Sequence, residues 1–288
     1  MRPASEPCSV LRLNSGHTDF QLTMSIWYIA FLTNKKPWGM SMSTQIRVGH
    51  ERSFNLTMAV LISAIVFYGF GHTIDRRVIH PAIPPPSLLY VHIVLSTAWL
   101  MLLVVQSALV RAGNVRLHRR LGLWGVTLGV LITIVGLALS IVARKLSIEE
   151  HGFTVARLAF LSIPVQSALS FAIPFALAVH WRKRREFHRR AMLLASCTLT
   201  QAALARFPDL TGIALPGFPD LAGQNWLPYV GTDVLIGCVM VYEIATTKWA
   251  HPVYVYGLPL LVASQVLALY LFVAAPPVWM AFARFCTQ

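Results

Sequence analysis

The chain has 288 residues, of which 56% are hydrophobic and only 12% are charged, and its formal net charge is +13. Soluble globular proteins carry about 25% charged residues, so this composition, with a mean hydropathy of +0.61, excludes a soluble domain. The basic residues lie at the ends of apolar stretches, where they orient membrane helices and meet anionic headgroups. We therefore predict the lipid bilayer and anionic lipid headgroups as partners, and no nucleic acid.

Residues 1–50 are predicted to be an N-terminal extension that precedes the membrane domain. The apolar stretch 20–33 is shorter than the roughly 20 residues that cross a bilayer, and its flanks do not fit a secretory signal peptide. We expect this extension to be disordered or to form an interfacial helix. We also expect translation to start naturally at Met40 or Met42, just before the polar stretch that leads into the first span.

Residues 51–288 are predicted to form an all-α, polytopic bundle of about seven transmembrane helices. Helices are expected because the backbone has no water to bind inside a bilayer. The fifth run is short, and it crosses only if Arg189, Arg190 and Arg206 snorkel from its ends or the bilayer thins. The seven apolar runs are 53–71, 87–110, 121–143, 158–179, 191–205, 227–247 and 253–275.

The distribution of Lys and Arg predicts a cytoplasmic N-terminus. The links after the second and fourth runs hold four and six basic residues, whereas the links after the first, third and fifth hold fewer. Basic loops stay on the cytoplasmic side. The tripeptide His-Arg-Arg occurs in both rich links, at residues 118–120 and 188–190, so each copy marks the predicted cytoplasmic start of an outward-running helix.

Two features inside the runs predict packing, and the cysteines predict no chemistry. Gly122, Gly125, Gly129 and Gly136 share roughly one face of the third helix, and small residues allow a close helix–helix approach. Pro164 and Pro174 predict a kinked fourth helix. The cysteines show no metal-type or disulfide spacing; they are Cys8, Cys197, Cys238 and Cys286.

The histidines of the basic links are candidate haem ligands. His118 and His188 lie on different helices at one predicted depth, and two such imidazoles can hold a haem iron axially. His180 with His251 is a second possible pair, and His92 is a candidate on the opposite side. The arginines beside the histidines suit haem propionates, because a guanidinium binds a carboxylate with two hydrogen bonds. The alternative is that these positions are only a basic edge in contact with lipid phosphates.

The opposite side of the predicted bundle carries a second candidate site. Asp233 lies inside the sixth run and Arg206 ends the fifth, while His92 lies inside the second. An ionisable residue at membrane depth indicates function by default, and histidine with carboxylate can bind zinc, which activates water. We therefore consider Asp233 and Arg206 as catalytic candidates, with His92 and Asp233 as metal ligands, helped by His72, His80, Asp209 and Asp220. The alternative is a structural Arg206–Asp233 pair.

Several short segments resemble a group of uncharacterised bacterial multi-pass membrane proteins. They are Leu117 to Gly122 (LHRRLG), Phe187 to Ala195 (FHRRAMLLA) and His251 to Pro259 (HPVYVYGLP). The resemblance runs from about residue 50 to the end, and it implies a location in a bacterial inner membrane without implying an activity. The bundle also resembles the seven-helix ceramidase-type hydrolases, but those carry a paired-histidine motif in the last helix, and the seventh run here has no histidine.

These observations predict an integral membrane protein whose chemistry, if it has any, is haem-linked electron transfer through bis-histidine ligation. Haem b is the expected cofactor, and zinc is the less favoured one. The alternatives are a metal-dependent membrane hydrolase or a transporter with the His92 and Asp233 site, or a purely structural membrane protein. Whether the chain is an enzyme stays open at this point.

Overall fold

The structure is a computed structural model that describes residues 42–81, 84–207 and 227–288. The chain divides into residues Met1–Arg47 and Val48–Gln288, and of the first unit only residues 42–47 are described, as the start of a helix. The predictions for residues 1–40, including the translation start, lie outside the described residues. So do Cys8, Asp209 and Asp220.

Every element of the described part is helical. The helices are α1 (Met42–Ile74), α2 (Ser87–Arg111), α3 (Val115–His151), α4 (Val155–Ala159), α5 (Ser162–His180), α6 (Arg185–Thr198), α7 (Thr200–Leu204), α8 (Leu227–Thr247), α9 (Pro252–Ala274) and α10 (Pro277–Thr287), with a π-helical turn (Asp75–Ile79) after α1. This confirms the predicted all-α fold.

Six helical segments among the described residues are long and apolar enough to cross a membrane. They are Glu51–Ile74, Ser87–Arg111, Val115–His151, Val155–His180, Pro228–Thr247 and Pro252–Ala274. Large apolar side chains on these segments face outward, as Val94, Leu123, Trp124 and Leu260 do with exposed fractions of 66–73%. In water such a surface would cause aggregation, whereas in a bilayer it contacts the lipid tails. The chain is a multi-pass membrane protein.

Glycine, asparagine and proline residues mark the ends of several helices. The turn between α2 and α3 uses Gly113 at a φ of 76°, and Asn114 then caps α3 by accepting a hydrogen bond from the Leu117 backbone N–H at 3.2 Å. Gly152, at a φ of 79°, follows the last residue of α3. Pro276 and Pro277 close α9 as predicted and start α10, because proline cannot continue a helix but fits its first turn.

The predicted fifth span is the most enclosed part of the bundle. It consists of α6 and α7, and nine of the fourteen residues of α6 are buried. It is interrupted at Leu199, where the hydroxyls of Thr198 and Thr200 bind the carbonyls of Ala195 and Cys197 at 2.7 Å. Hydroxyl bonds of this kind bend helices. Helices α5, α8 and α9 pack against this segment, so it needs less lipid-facing apolar surface than the six other segments.

The predicted glycine face of α3 is confirmed at three of its four positions. A Cβ on Gly129 would lie 2.3 Å from the Phe175 ring of α5, and one on Gly125 would lie 3.2 Å from the side chain of Leu102. A Cβ on Gly136 would lie 3.4 Å from the His92 ring of α2, whereas one on Gly122 would have nothing within 4 Å. The third helix is therefore the surface on which α2 and α5 pack closely.

The fourth predicted span is broken near Pro164, as its prolines indicated. Helix α4 ends at Ala159, and α5 starts at Ser162, so Pro164 lies in the first turn of α5, whereas Pro174 lies inside it. In the described residues Cys197, Cys238 and Cys286 are all free thiols.

Candidate functional site

His118 and His188 lie together at one end of the bundle. The turns 112–114 and 181–184 place them in the first turns of α3 and α6. Their ring centroids are 6.4 Å apart, with 76° between the ring planes. We call the end that holds these two turns the basic end. The predicted proximity of the two imidazoles is thus present in the structure. His180 and His251 have different ring partners: His180 is exposed beside Trp181, and His251 packs on Phe187 at 4.6 Å between centroids.

The tautomer of His188 follows from its hydrogen bond. Its Nδ1 lies 2.8 Å from the backbone carbonyl oxygen of Ala178. A carbonyl can only accept, so Nδ1 donates and the lone pair of the neutral ring is on Nε2. Histidine ligands in metal sites are fixed in this way, with one nitrogen held by a carbonyl and the other presented to the metal.

Like Gln106, His118 carries buried polar atoms that have no hydrogen-bond partner among the described residues. Its ring lies beside the Gln106 backbone, and its Nδ1 is buried without a hydrogen bond within the described residues. The same is true of both polar atoms of the Gln106 side-chain amide, Nε2 and Oε1. Buried polar groups are almost always hydrogen-bonded, so this cluster marks a place for a polar or metal-containing group, or for water.

The arginines of the second His-Arg-Arg copy are part of an ion-pair network. Arg190 is buried and binds Glu186, with 2.5 Å between Nη1 and Oε2, and Glu243 of α8. Arg189 binds Glu51 of α1 at 2.8 Å. These two arginines are therefore neutralised by carboxylates of α1, α6 and α8, while the snorkelling or bilayer thinning that the fifth span requires stays a prediction. They are also not free for a propionate. Arg119 and Arg120, in contrast, are exposed.

His251 closes this network through the start of α9. Its backbone N–H donates to Glu243 Oε2 at 3.2 Å, and its Nδ1 accepts from the Val253 backbone N–H at 3.3 Å, which caps the helix. Burial, and next the positive charge of Arg190, lower the pKa of His251 to about 3. The imidazole is therefore neutral at physiological pH, as its role as an acceptor requires.

This lowered pKa predicts a pH-dependent stability. The unfolded chain takes up a proton on His251 near its ordinary pKa of about 6.5, whereas the folded protein does not until near pH 3. Stability is therefore expected to fall as the pH falls below about 6.5. His251→Asn, which keeps a capping side chain, should have a flatter Tm profile between pH 6.5 and pH 5. The free energy of unfolding of the wild type should fall by less than roughly 1.4 kcal/mol per pH unit, the value for a group that takes up one full proton on unfolding. Parallel profiles would contradict this assignment.

The residues predicted for a second site near the opposite end have separate partners. Asp233 accepts a hydrogen bond from Gln265 Nε2 at 3.0 Å rather than pairing with Arg206, and the Arg206 guanidinium lies 4.4 Å from the Phe70 ring centroid. His92 Nε2 lies 3.4 Å from Ser96 Oγ. His80 pairs with Asp75 at 2.9 Å. Within the described residues no three His, Cys, Asp or Glu side chains are placed to hold a metal ion. Zinc binding stays a prediction without support here.

A buried amide cluster near the middle of the bundle is a feature that the sequence reasoning missed. Gln201 Nε2 donates to Gln166 Oε1 at 3.0 Å, and Gln166 Nε2 reaches Ser170 and Ser264 at 2.6 and 3.1 Å. These contacts join α7, α5 and α9. A glutamine within an otherwise apolar run could have indicated this cluster, because such residues form hydrogen bonds between helices in membranes. The cluster fixes how α5, α7 and α9 meet.

The fold and these contacts define the class, an α-helical multi-pass membrane protein with a histidine pair at one end of its bundle. In comparisons with known proteins, no family model matches the chain, and no curated protein or solved structure is similar to it. The resemblance to bacterial multi-pass proteins therefore stays a prediction.

Proposed function

We propose that this protein is a haem-linked electron carrier of a bacterial inner membrane, with His118 and His188 as the axial ligands of one haem b iron. The observation that carries the proposal is the separation of the two rings. Two imidazoles on opposite sides of one metal, each bonded at roughly 2 Å, have ring centroids about 6 Å apart. The observed centroid distance of 6.4 Å matches that spacing.

The donor set around the pair supports the same proposal. The hydrogen bond from His188 to Ala178 leaves Nε2 with its lone pair, and His118 and Gln106 carry buried polar atoms without partners among the described residues. Arg119 and Arg120 are exposed at the same end, and within the described part no carboxylate pairs with them. They are suited to bind propionates. Haem would supply one-electron redox chemistry, while the chain holds it and places it near one membrane surface.

The proposal is tested by measuring haem per protein after purification from cells with an intact haem supply. His118→Ala and His188→Ala should each lower the haem content more than about tenfold. Loss of a residue that only orients a metal ligand lowers metal affinity about 10–100-fold, and these two histidines would bind the iron directly. The matched control is His180→Ala, which removes an exposed histidine at the same end and should leave the haem content unchanged.

Two outcomes would contradict the proposal. One is a wild-type protein that folds but carries no haem. The other is a haem content in His118→Ala equal to that of His180→Ala. The Tm of each variant, measured in the same detergent, separates loss of haem from loss of fold.

A further inference from the structure

The end of the bundle opposite the histidine pair carries a short helix that packs on the outside of α4. Helix α10 follows α9 after Ala275, which has a φ of 43°, and Pro276. Met280 and Ala283 of α10 are buried in one cluster with Leu158, Ala159 and Leu161. The indole Nε1 of Trp279 donates to the Ala159 carbonyl at 3.2 Å. Helix α10 is thus fixed at the membrane end and is not a loose tail.

The other face of α10 is apolar and uncovered. Val278, Phe282 and Phe285 are exposed by 84%, 50% and 77%. Nearby, Phe153 and Val155 at the start of α4 are exposed by 53% and 52%. A helix that is apolar on the side away from the protein is typical of a position at the membrane interface, where that side enters the acyl-chain boundary.

A surface cavity of ≈ 250 Å³ lies between the end of α3, α4 and α10. Its lining includes Lys145, Glu149, Phe153, Leu158 and Arg284. Lys145 Nζ donates to the backbone oxygen of Gln288, the last residue of the printed sequence, at 3.0 Å, which leaves two of its three N–H donors for another acceptor. The Arg284 guanidinium lies 5.9 Å from the Phe153 ring centroid. Among the described residues, no Asp or Glu side chain pairs with either cation.

The cavity lies at the height of the lipid headgroups. The uncharged stretch 121–143 of α3 has 23 residues, which at about 1.5 Å each fills a hydrocarbon core of about 30 Å. Arg144 and Lys145 follow this stretch directly. The Arg144 guanidinium lies 4.6 Å from the Phe160 ring centroid. Cations and apolar side chains therefore meet at the boundary where a phospholipid has its phosphate and the start of its acyl chains.

We propose that this cavity binds one anionic phospholipid, with its phosphate between Lys145 and Arg284 and the start of its acyl chains on Ile148 and Phe153 of the same lining. The inference is independent of the haem proposal, because it concerns the other end of the bundle. Charge complementarity identifies the headgroup, and the apolar side chains of the lining identify the lipid tail.

The test titrates the full-length protein in mild detergent with fluorescent phosphatidylglycerol, with phosphatidylcholine for comparison. Lys145→Gln with Arg284→Gln should weaken phosphatidylglycerol binding by about tenfold or more, from the loss of two charges near the headgroup. Arg182→Gln with Lys183→Gln removes two exposed charges at the basic end and should leave the binding unchanged. Glu149→Gln removes the carboxylate of the lining and should tighten the binding, a result that misfolding cannot produce.

Three results would overturn the proposal. The first is equal binding of phosphatidylglycerol and phosphatidylcholine. The second is an equal loss in both double variants. The third is displacement of the lipid by an equal concentration of inorganic phosphate, which would make the site one for free anions.

Discussion

Glu243→Gln is expected to lower the free energy of unfolding by about 3 kcal/mol, the lower end of the range for breaking a buried ion pair. Glu243 and Arg190 are each 7% exposed, and the carboxylate accepts from Arg190 Nε at 2.5 Å. Its second oxygen accepts from the His251 backbone N–H. Glutamine cannot neutralise the guanidinium, which among the described residues then keeps only Glu186 as its ionic partner. The free energy would be measured by chemical unfolding in mixed micelles.

The matched control is Glu51→Gln in the same network. Glu51 pairs with Arg189, and their side chains are 22% and 25% exposed, so water shares in solvating both charges. Pairs nearer to solvent contribute less than about 1 kcal/mol. Equal destabilisation by the two substitutions would show that the burial of Arg190 and Glu243 does not set the strength of their interaction.

Gly69→Ala is expected to destabilise the protein by about 2–3 kcal/mol, as overpacking of a filled interface does. A Cβ at this position would lie 2.4 Å from the backbone carbonyl oxygen of Ala203. That oxygen belongs to the enclosed segment α7, so relief requires α1 and α7 to separate. No rotation of a side chain can make the room.

Gly71→Ala is the control for this substitution on the same helix. Nothing lies within 4 Å of the Cβ it would add, and alanine in a helix is favoured over glycine by up to about 1 kcal/mol. Its Tm in detergent should equal or exceed that of the wild type, whereas the Tm of Gly69→Ala should be lower. Equal Tm values for the two variants would contradict the close contact of α1 with α7.

The sequence predicts the parts of this fold that depend on local chemistry. Apolar runs locate the six spanning segments. Gly113 and Gly152 locate helix ends because glycine readily adopts a positive φ, and Pro277 does so because proline cannot continue a helix. The Gly125 and Gly129 face of α3 follows from helical spacing alone. The meeting of His118 with His188 was predictable too, since both begin a helix at the same end of the bundle.

The partners of buried polar groups were not predictable in the same way. Hydropathy gives the depth of a residue in the bilayer, but the direction in which it faces around its helix depends on how the helices pack. His92 and Asp233 lie inside apolar runs, yet their partners are Ser96 and Gln265. For the same reason Arg190 is paired with Glu243, 53 positions away, although its place in a basic link indicated a charge exposed to solvent and headgroups.

The low-temperature EPR spectrum of the oxidised protein, purified from cells with an intact haem supply, tests the central proposal most directly. Ligation of one ferric haem by His118 and His188 predicts a low-spin, six-coordinate signal. That signal should be lost in His118→Ala and in His188→Ala and kept in His180→Ala. A folded wild-type protein without a ferric haem signal, or with a high-spin signal alone, would contradict bis-histidine ligation.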